Sequence, residues 1–455
     1  MLVVGMLSMS LVGCTPNSEK KQNANKVKIM IGCWPGENLQ QALKVIEAKK
    51  VTFETKYPNV EVVRDSWAYA VDSFLLKASS NQLPTLYNSW FTEVKKIADA
   101  GYAADITDAL KKNGYLDAIN PAILDILTKD GKVYALPTEA YAMGIAINMN
   151  LFRQAGLVNA DGSPKVPDTY EELIKTAQII KEKTGKPGFA IPSMTNNGGW
   201  RFMNIAWSYG TEFMKQKDGK WIATFDSPEF IAALQYIKDL KWKYDVMPEN
   251  ALIDGEEIIK LYATDQIGMT LGEPNYLKNM SIDAYKMNRN NISFAKIPAG
   301  PKGRYSLMGG DIQIFSNAAT PEQIDAGIKW LELGGVTPEI TEETATQLDA
   351  KYKLDNEKGS VVGINGLRIW GNPERVKKEK EIQAKYVNVD LGLFKTYEDY
   401  SDVTLRPEEP MNCQELYKTL DNCLQSVLTD KNADLPSIAK KAASDFQKNY
   451  LDKAK

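Results

Sequence analysis

Between Val27 and Gly101 the hydrophobic period switches back and forth between two values, and this alternation restricts the fold more than any other feature of the chain. Val27, Ile29, Ile31 and Cys33 recur at every second residue, the period of a strand with one buried face, and the run stops at Trp34-Pro35-Gly36. Leu39, Leu43 and Ile46 then follow at helical spacing until Tyr57-Pro58-Asn59 breaks the helix. Val60 to Arg64 predicts a second strand, Val71 to Ser80 a second helix, and Thr85 to Trp90 a third strand. Glu93 to Ala100 predicts a third helix, closed by Gly101. Strand–helix units at this spacing join through crossovers, so the fold class is α/β with mainly parallel sheets.

The pattern continues downstream. Asp130-Gly131 and Asp218-Gly219 predict hairpin turns. Thr169-Tyr170-Glu171-Glu172 is a capping box that opens a helix to about Lys183. Helices are expected over 228–243, 256–263, 374–386, 412–428 and 435–450, which makes the C-terminal third mostly helical.

The chain contains no histidine. Ser-His-Asp triads, Cys-His dyads and His-ligated zinc are therefore impossible, although a pair of carboxylates could still hydrolyse a glycoside. A net charge of -3 with both signs interspersed leaves no electrostatic footprint for nucleic acid. Cys413 and Cys423 fall on one predicted helix, about 15 Å apart, beyond disulfide reach. They are expected to be buried or free thiols, and Cys33 a core residue. Asp355 to Gly359 lacks the ligand spacing of a calcium loop and reads as a surface turn, so no metal and no cofactor is expected.

The N-terminus carries a separate signal. An apolar run from Met1 ends at Leu11-Val12-Gly13-Cys14, which resembles the lipobox of bacterial lipoproteins, although no Lys or Arg precedes the run. The run is too short to span a bilayer. The resemblance implies that residues 1–14 are a signal, that Cys14 is lipidated, and that the protein sits on the outer face of the cell membrane. Residues 15–26 are polar and aperiodic, a tether.

Five blocks, in order, resemble the solute-binding proteins of carbohydrate ABC importers, the maltodextrin-binding type. They are Glu93 to Leu110, Lys132 to Leu157, Pro167 to Leu173, Asp265 to Met269, and Leu307 to Gly310. Tyr170, Ile147 and Pro84-Thr85 depart from the usual residues. The resemblance implies two α/β lobes joined by hinge strands, with ligand in the cleft between them. Mapped onto this chain, lobe one is 26–137 plus 294–335 and lobe two is 141–291 plus 336–455. It also implies a monomer that captures a sugar or oligosaccharide by hinge closure, hands it to ABC permease subunits, and catalyses no reaction.

In open α/β sheets ligands sit beyond the C-terminal strand ends. That rule alone selects Trp34 and Glu37, Trp67 and Tyr69, and Asn88 and Trp90. Tryptophan at strand ends beside carboxylates and amides suits a sugar, which offers flat C–H faces and a ring of hydroxyls. Each tryptophan could equally cap its own core. From the resemblance, Glu139, Tyr141, Trp200, Arg201, Glu273, Tyr276 and Asp311 are expected to line the cleft, with Trp370 and Arg406 as further candidates. The carboxylates Glu139, Glu273 and Asp311 could instead be salt-bridge partners. Two other readings stay open: a surface glycoside hydrolase using Glu139 with Glu273, and a binding protein for a non-sugar solute or a sensory partner.

Overall fold

The structure is a computed structural model that describes residues 26–453. The predicted opening units form as expected: strands Val27–Ile31, Val60–Arg64 and Leu86–Trp90 alternate with helices Gln40–Lys56 and Val71–Ser79. Val27–Ile31 pairs in parallel with Val60–Arg64 in full register and meets Leu86–Trp90 through Ile31 and Leu86. The long strand Tyr305–Phe315 then joins Leu86–Trp90 antiparallel. It is flanked by Leu136–Ala142, antiparallel, and Thr404–Pro407, parallel. A second sheet has the order Ile292–Lys296, Gly144–Asn148, Met269–Gly272, Phe189–Ala190. Its first two pairings are antiparallel and its last is parallel.

Each sheet has its own hydrophobic core. Ile29, Val62, Leu86, Leu136, Ile312 and Trp330 belong to the first, and Ile145, Phe189, Phe202, Leu271, Phe294 and Leu424 to the second. The chain crosses between them along Leu136–Ala142 and again near Leu307, which packs in the second core while Met308 packs in the first. It also crosses between Ile364, in the second core, and Trp370, in the first. A small third cluster, with Tyr352 and Ile382, joins helices Glu342–Glu357 and Pro373–Ala384.

Three expectations change. The sheets are more mixed than the strand–helix alternation implies, because a strand entering from the other lobe runs against its local neighbours. The cores divide the chain differently from the mapped boundaries: Phe294 and Ile297 pack with the second core and Trp370 with the first. Residues 355–357 are the last turn of a helix, which Gly359 follows at φ +81°. Cys14 and the tether up to residue 25 lie outside the described residues. Among the described residues no helix is long and apolar enough to cross a membrane.

Candidate functional site

Between the two cores lies a cavity of ≈ 730 Å³. The first lobe contributes Trp90, the last residue of its strand, and Asp311, its cross-strand partner. Glu139 and Tyr141 come from the crossing strand Leu136–Ala142. The second lobe supplies Trp200, from the first turn of helix Asn197–Ser208, and Glu273 and Tyr276, from the start of helix Pro274–Asp283. The structure thus brings together Trp90, Glu139, Tyr141, Trp200, Glu273, Tyr276 and Asp311.

The aromatic groups are held edge-on. Trp90 meets Tyr69 at 5.5 Å with an interplanar angle of 85°, and Trp200 meets Tyr141 at 5.9 Å and 89°. Both indoles are therefore braced from the side. Arg201 stacks on Trp200 at 4.9 Å while its Nε donates to the Leu271 carbonyl at 2.9 Å. Arg201 is buried under the site and supports it without lining it.

The carboxylates differ in how free they are. Glu273 caps its helix, accepting from the backbone N–H of Asn275 at 2.6 Å and of Tyr276 at 2.5 Å. Burial nevertheless pushes its carboxyl up to about 7, against the pull of those two donors. Glu139 accepts from Asn275 Nδ2 at 2.7 Å. Burial first, and Glu139 second, raise the Asp311 carboxyl. Glu408, half-buried and accepting from the Tyr417 hydroxyl at 2.5 Å, is pushed by burial up to about 8. The cavity wall is thus rich in hydrogen-bond acceptors beside exposed aromatic rings.

The other predicted residues lie elsewhere. Cys33 has φ +59°, which turns the chain so that Trp34 folds into the first core, stacked on Trp330 at 6.1 Å. Cys33 itself is exposed rather than core. Glu37 is exposed in the turn before helix Gln40–Lys56. Trp67 packs edge-on to Tyr87 at 5.7 Å, and buried Tyr69 donates its hydroxyl to Glu93. Asn88 lies within hydrogen-bonding reach of Cys33 and does not line the cavity. Trp370 packs against Tyr115 at 6.0 Å, with the Arg375 guanidinium over its face at 4.4 Å. Arg406 pairs with Glu212 at 3.0 Å and covers Trp207.

Gly309 and Gly310 make room for a strand. A Cβ on Gly309 would overlap the Tyr141 ring, and one on Gly310 the Glu139 carbonyl and Phe91. The glycines admit the crossing strand, not a ligand. Asn196 to Gly199 is also tightly packed. Gly198 and Gly199 open a helix, and their bare Cα atoms let Asp421 and Tyr417 of helix Cys413–Thr429 close on it.

Residues 36–333 match the profile of the family described as bacterial extracellular solute-binding protein. The chain belongs to that family. This solute-binding protein is similar to the arabinooligosaccharide-binding protein of Bacillus subtilis (strain 168), 21% identical over 414 residues covering 88% of this chain and 87% of the relative. Its fold matches an ABC transporter solute-binding protein from Thermotoga lettingae TMO bound with alpha-D-tagatose, at TM-score 0.67 and 22% identity, covering 93% of this chain and 99% of that one. Maltose-bound MalE3 of T. maritima aligns at TM-score 0.65 and 20% identity, covering 93% and 100%.

Sequence reading missed several residues that line the cleft of this solute-binding protein: Thr195, Asn196, Asn197, Asn275, Asn279, Met280, Glu408, Gln414 and Tyr417. Asn275 and Asn279 sit one helical turn apart on Pro274–Asp283, a helix the sequence reading did not identify. Pro274 directly after Glu273 was the available signal, because proline favours the first helical position and a carboxylate favours the cap.

Proposed function

We propose that this solute-binding protein captures a carbohydrate between its lobes and delivers it, unchanged, to ABC permease subunits. The supporting observation is the cavity itself, which Trp90 from one lobe and Trp200 and Tyr276 from the other line together with Tyr141, several carboxylates and side-chain amides. Aromatic faces suit the C–H faces of a pyranose, and acceptors with amides suit its hydroxyls. Its ≈ 730 Å³ falls within the roughly 300–1,000 Å³ of small-molecule sites and favours an oligosaccharide over a single inorganic ion. A ligand that touches both lobes shifts the population toward the closed form, which the permease reads.

A hydrolytic role is disfavoured. Glu273 has both carboxylate oxygens committed to its own helix N-terminus, so it is badly placed to attack or protonate a glycoside. We further propose that the protein acts as a monomer held at the outer face of the membrane by a lipid on Cys14, with residues 15–26 as its tether. Cys14→Ala should then release the protein into the medium.

A thermal-shift screen of residues 15–455 against mono- and oligosaccharides, with peptides and polyamines as controls, tests the substrate class. A sugar at 100 times its Kd should add about 2.7 kcal/mol of stability, and the sugar should be recovered intact. Shifts from the control solutes alone would refute the carbohydrate reading.

A further inference from the structure

A second cavity of ≈ 610 Å³ abuts the cleft, and Glu139, Asn275 and Asn279 line both. Its far side is built by helices Glu342–Glu357 and Pro373–Ala384 and by the segment 360–370. The capture of a neutral sugar in the first cavity makes no use of it.

Lys278 lines this second cavity and not the first. Its side chain lies in a residue only 5% exposed. Among the described residues the ammonium makes one hydrogen bond, to Asn275 Oδ1 at 2.8 Å, and no ion pair. An ammonium has three donors, so two are unfilled. Holding an unpaired cation out of water is costly, and an apolar side chain of similar size would pack there without that cost. Burial lowers Lys278 to about 8, which leaves it mostly protonated at neutral pH.

The surrounding charges are of both signs: Glu273, Glu139 and Asp355 act on the ammonium from a distance and favour it, without any of them pairing with it. Lys351 faces the same cavity close enough to act on Lys278, although Asp355 partly neutralises it at 2.9 Å. Arg368 and Arg375 also line the cavity and share a single carboxylate, Glu379, at 3.6 and 2.6 Å. On the cleft side the chain of contacts runs Glu139, Asn275, Lys278, so the two cavities are joined by hydrogen bonds.

We propose that this second cavity is a ligand chamber that receives a carboxylate through Lys278, and that the cargo of this protein is therefore acidic. The inference rests on the carbohydrate reading and names its substrate class. The carboxylate can come from a uronate unit of an oligosaccharide that reaches from the cleft, or from a separate small acid.

Calorimetry on residues 15–455 separates these sources. The probes are trigalacturonate, an aldotriouronate, D-glucuronate, and the neutral trimers maltotriose and xylotriose, each against wild type, Lys278→Met and Lys278→Gln. An acidic trimer should bind more tightly than its neutral counterpart, with the preference weakening at high salt. Both variants should cut the acidic-to-neutral affinity ratio at least tenfold. Lys278→Met should also melt no lower than wild type, because it removes an unpaired buried charge. Binding of D-glucuronate that depends on Lys278 but survives Trp90→Ala identifies a separate acid. Equal binding of acidic and neutral trimers, or variants that weaken both alike, overturns the chamber and leaves the carbohydrate reading standing. Failure of every sugar, neutral and acidic, overturns that reading as well.

Discussion

Trp90 is the most informative residue to remove. Its indole is 38% exposed, and the open face points into the cleft. A large aromatic side chain buries up to about 250 Å², so this face offers a ligand roughly 95 Å². At about 25 cal/mol per Å² its burial is worth about 2.4 kcal/mol, or roughly 50-fold in Kd. A sugar that covers only part of the face would give about tenfold, so Trp90→Ala is expected to weaken binding between about 10- and 50-fold. The part of the ring already covered, roughly 155 Å², is worth up to about 3.9 kcal/mol by the same measure, so the variant should fold but unfold at lower urea than wild type. Calorimetry with the sugar that gives the largest thermal shift, alongside urea unfolding, measures both quantities. Affinity within twofold of wild type would refute the placement of ligand on this face.

Trp34→Ala is the matched contrast: a residue 5% exposed and stacked on Trp330 should cost about 3–5 kcal/mol of stability in urea while leaving sugar affinity unchanged. Gly310→Ala should cost about 2–4 kcal/mol, since its Cβ meets Phe91 at 2.7 Å and the Glu139 carbonyl, and opens the ladder to Ala140; unaltered urea stability would contradict the packing. Burial raises Glu408 to about 8 and Glu409 to about 7, both above the ordinary carboxyl value of about 4.3. The folded state therefore holds more protons than the unfolded chain between about pH 4.5 and 8, and stability is fullest below that window and falls as pH rises through it. Urea midpoints at pH 5 and pH 8 measure the slope, which Glu408→Gln should flatten; a midpoint that rises toward pH 8 would count against the burial of these groups.

Much of the fold was legible because local period and caps agree with the tertiary arrangement. Val27–Ile31, Val60–Arg64 and Leu86–Trp90 are strands by alternation and strands in the sheet. Asp218 and Gly219, at φ +52° and +75°, form the hairpin turn that their sequence requires. The crossings were not legible. Tyr305–Phe315 is one strand shared by both lobes, and nothing in its period marks where one core ends and the next begins. The site divides along the same line. Trp90, Trp200, Glu273 and Tyr276 reach the cavity from element ends that border it, whereas Glu139, Tyr141 and Asp311 reach it from within the two crossing strands. Trp34 and Trp67 also follow strands, but one residue with a positive φ, Cys33, sends Trp34 into the core, and Tyr87 draws Trp67 aside. A strand end predicts where a side chain starts and not which way it turns. Glu408, Gln414 and Tyr417 were missed for a different reason: they reach the cleft from a segment more than two hundred residues away in sequence from Trp200, through contacts that only the packing of helix Cys413–Thr429 on helix Asn197–Ser208 creates.

Whether one sugar is gripped from both lobes is decided by titrating the best sugar of the screen into wild type, Trp90→Ala, Trp200→Ala and the double variant by calorimetry. Single-site saturable binding that each substitution weakens at least tenfold is expected, because Trp90 belongs to one lobe and Trp200 to the other. Binding that loses affinity with only one of them, or with neither, would contradict a ligand held between the lobes.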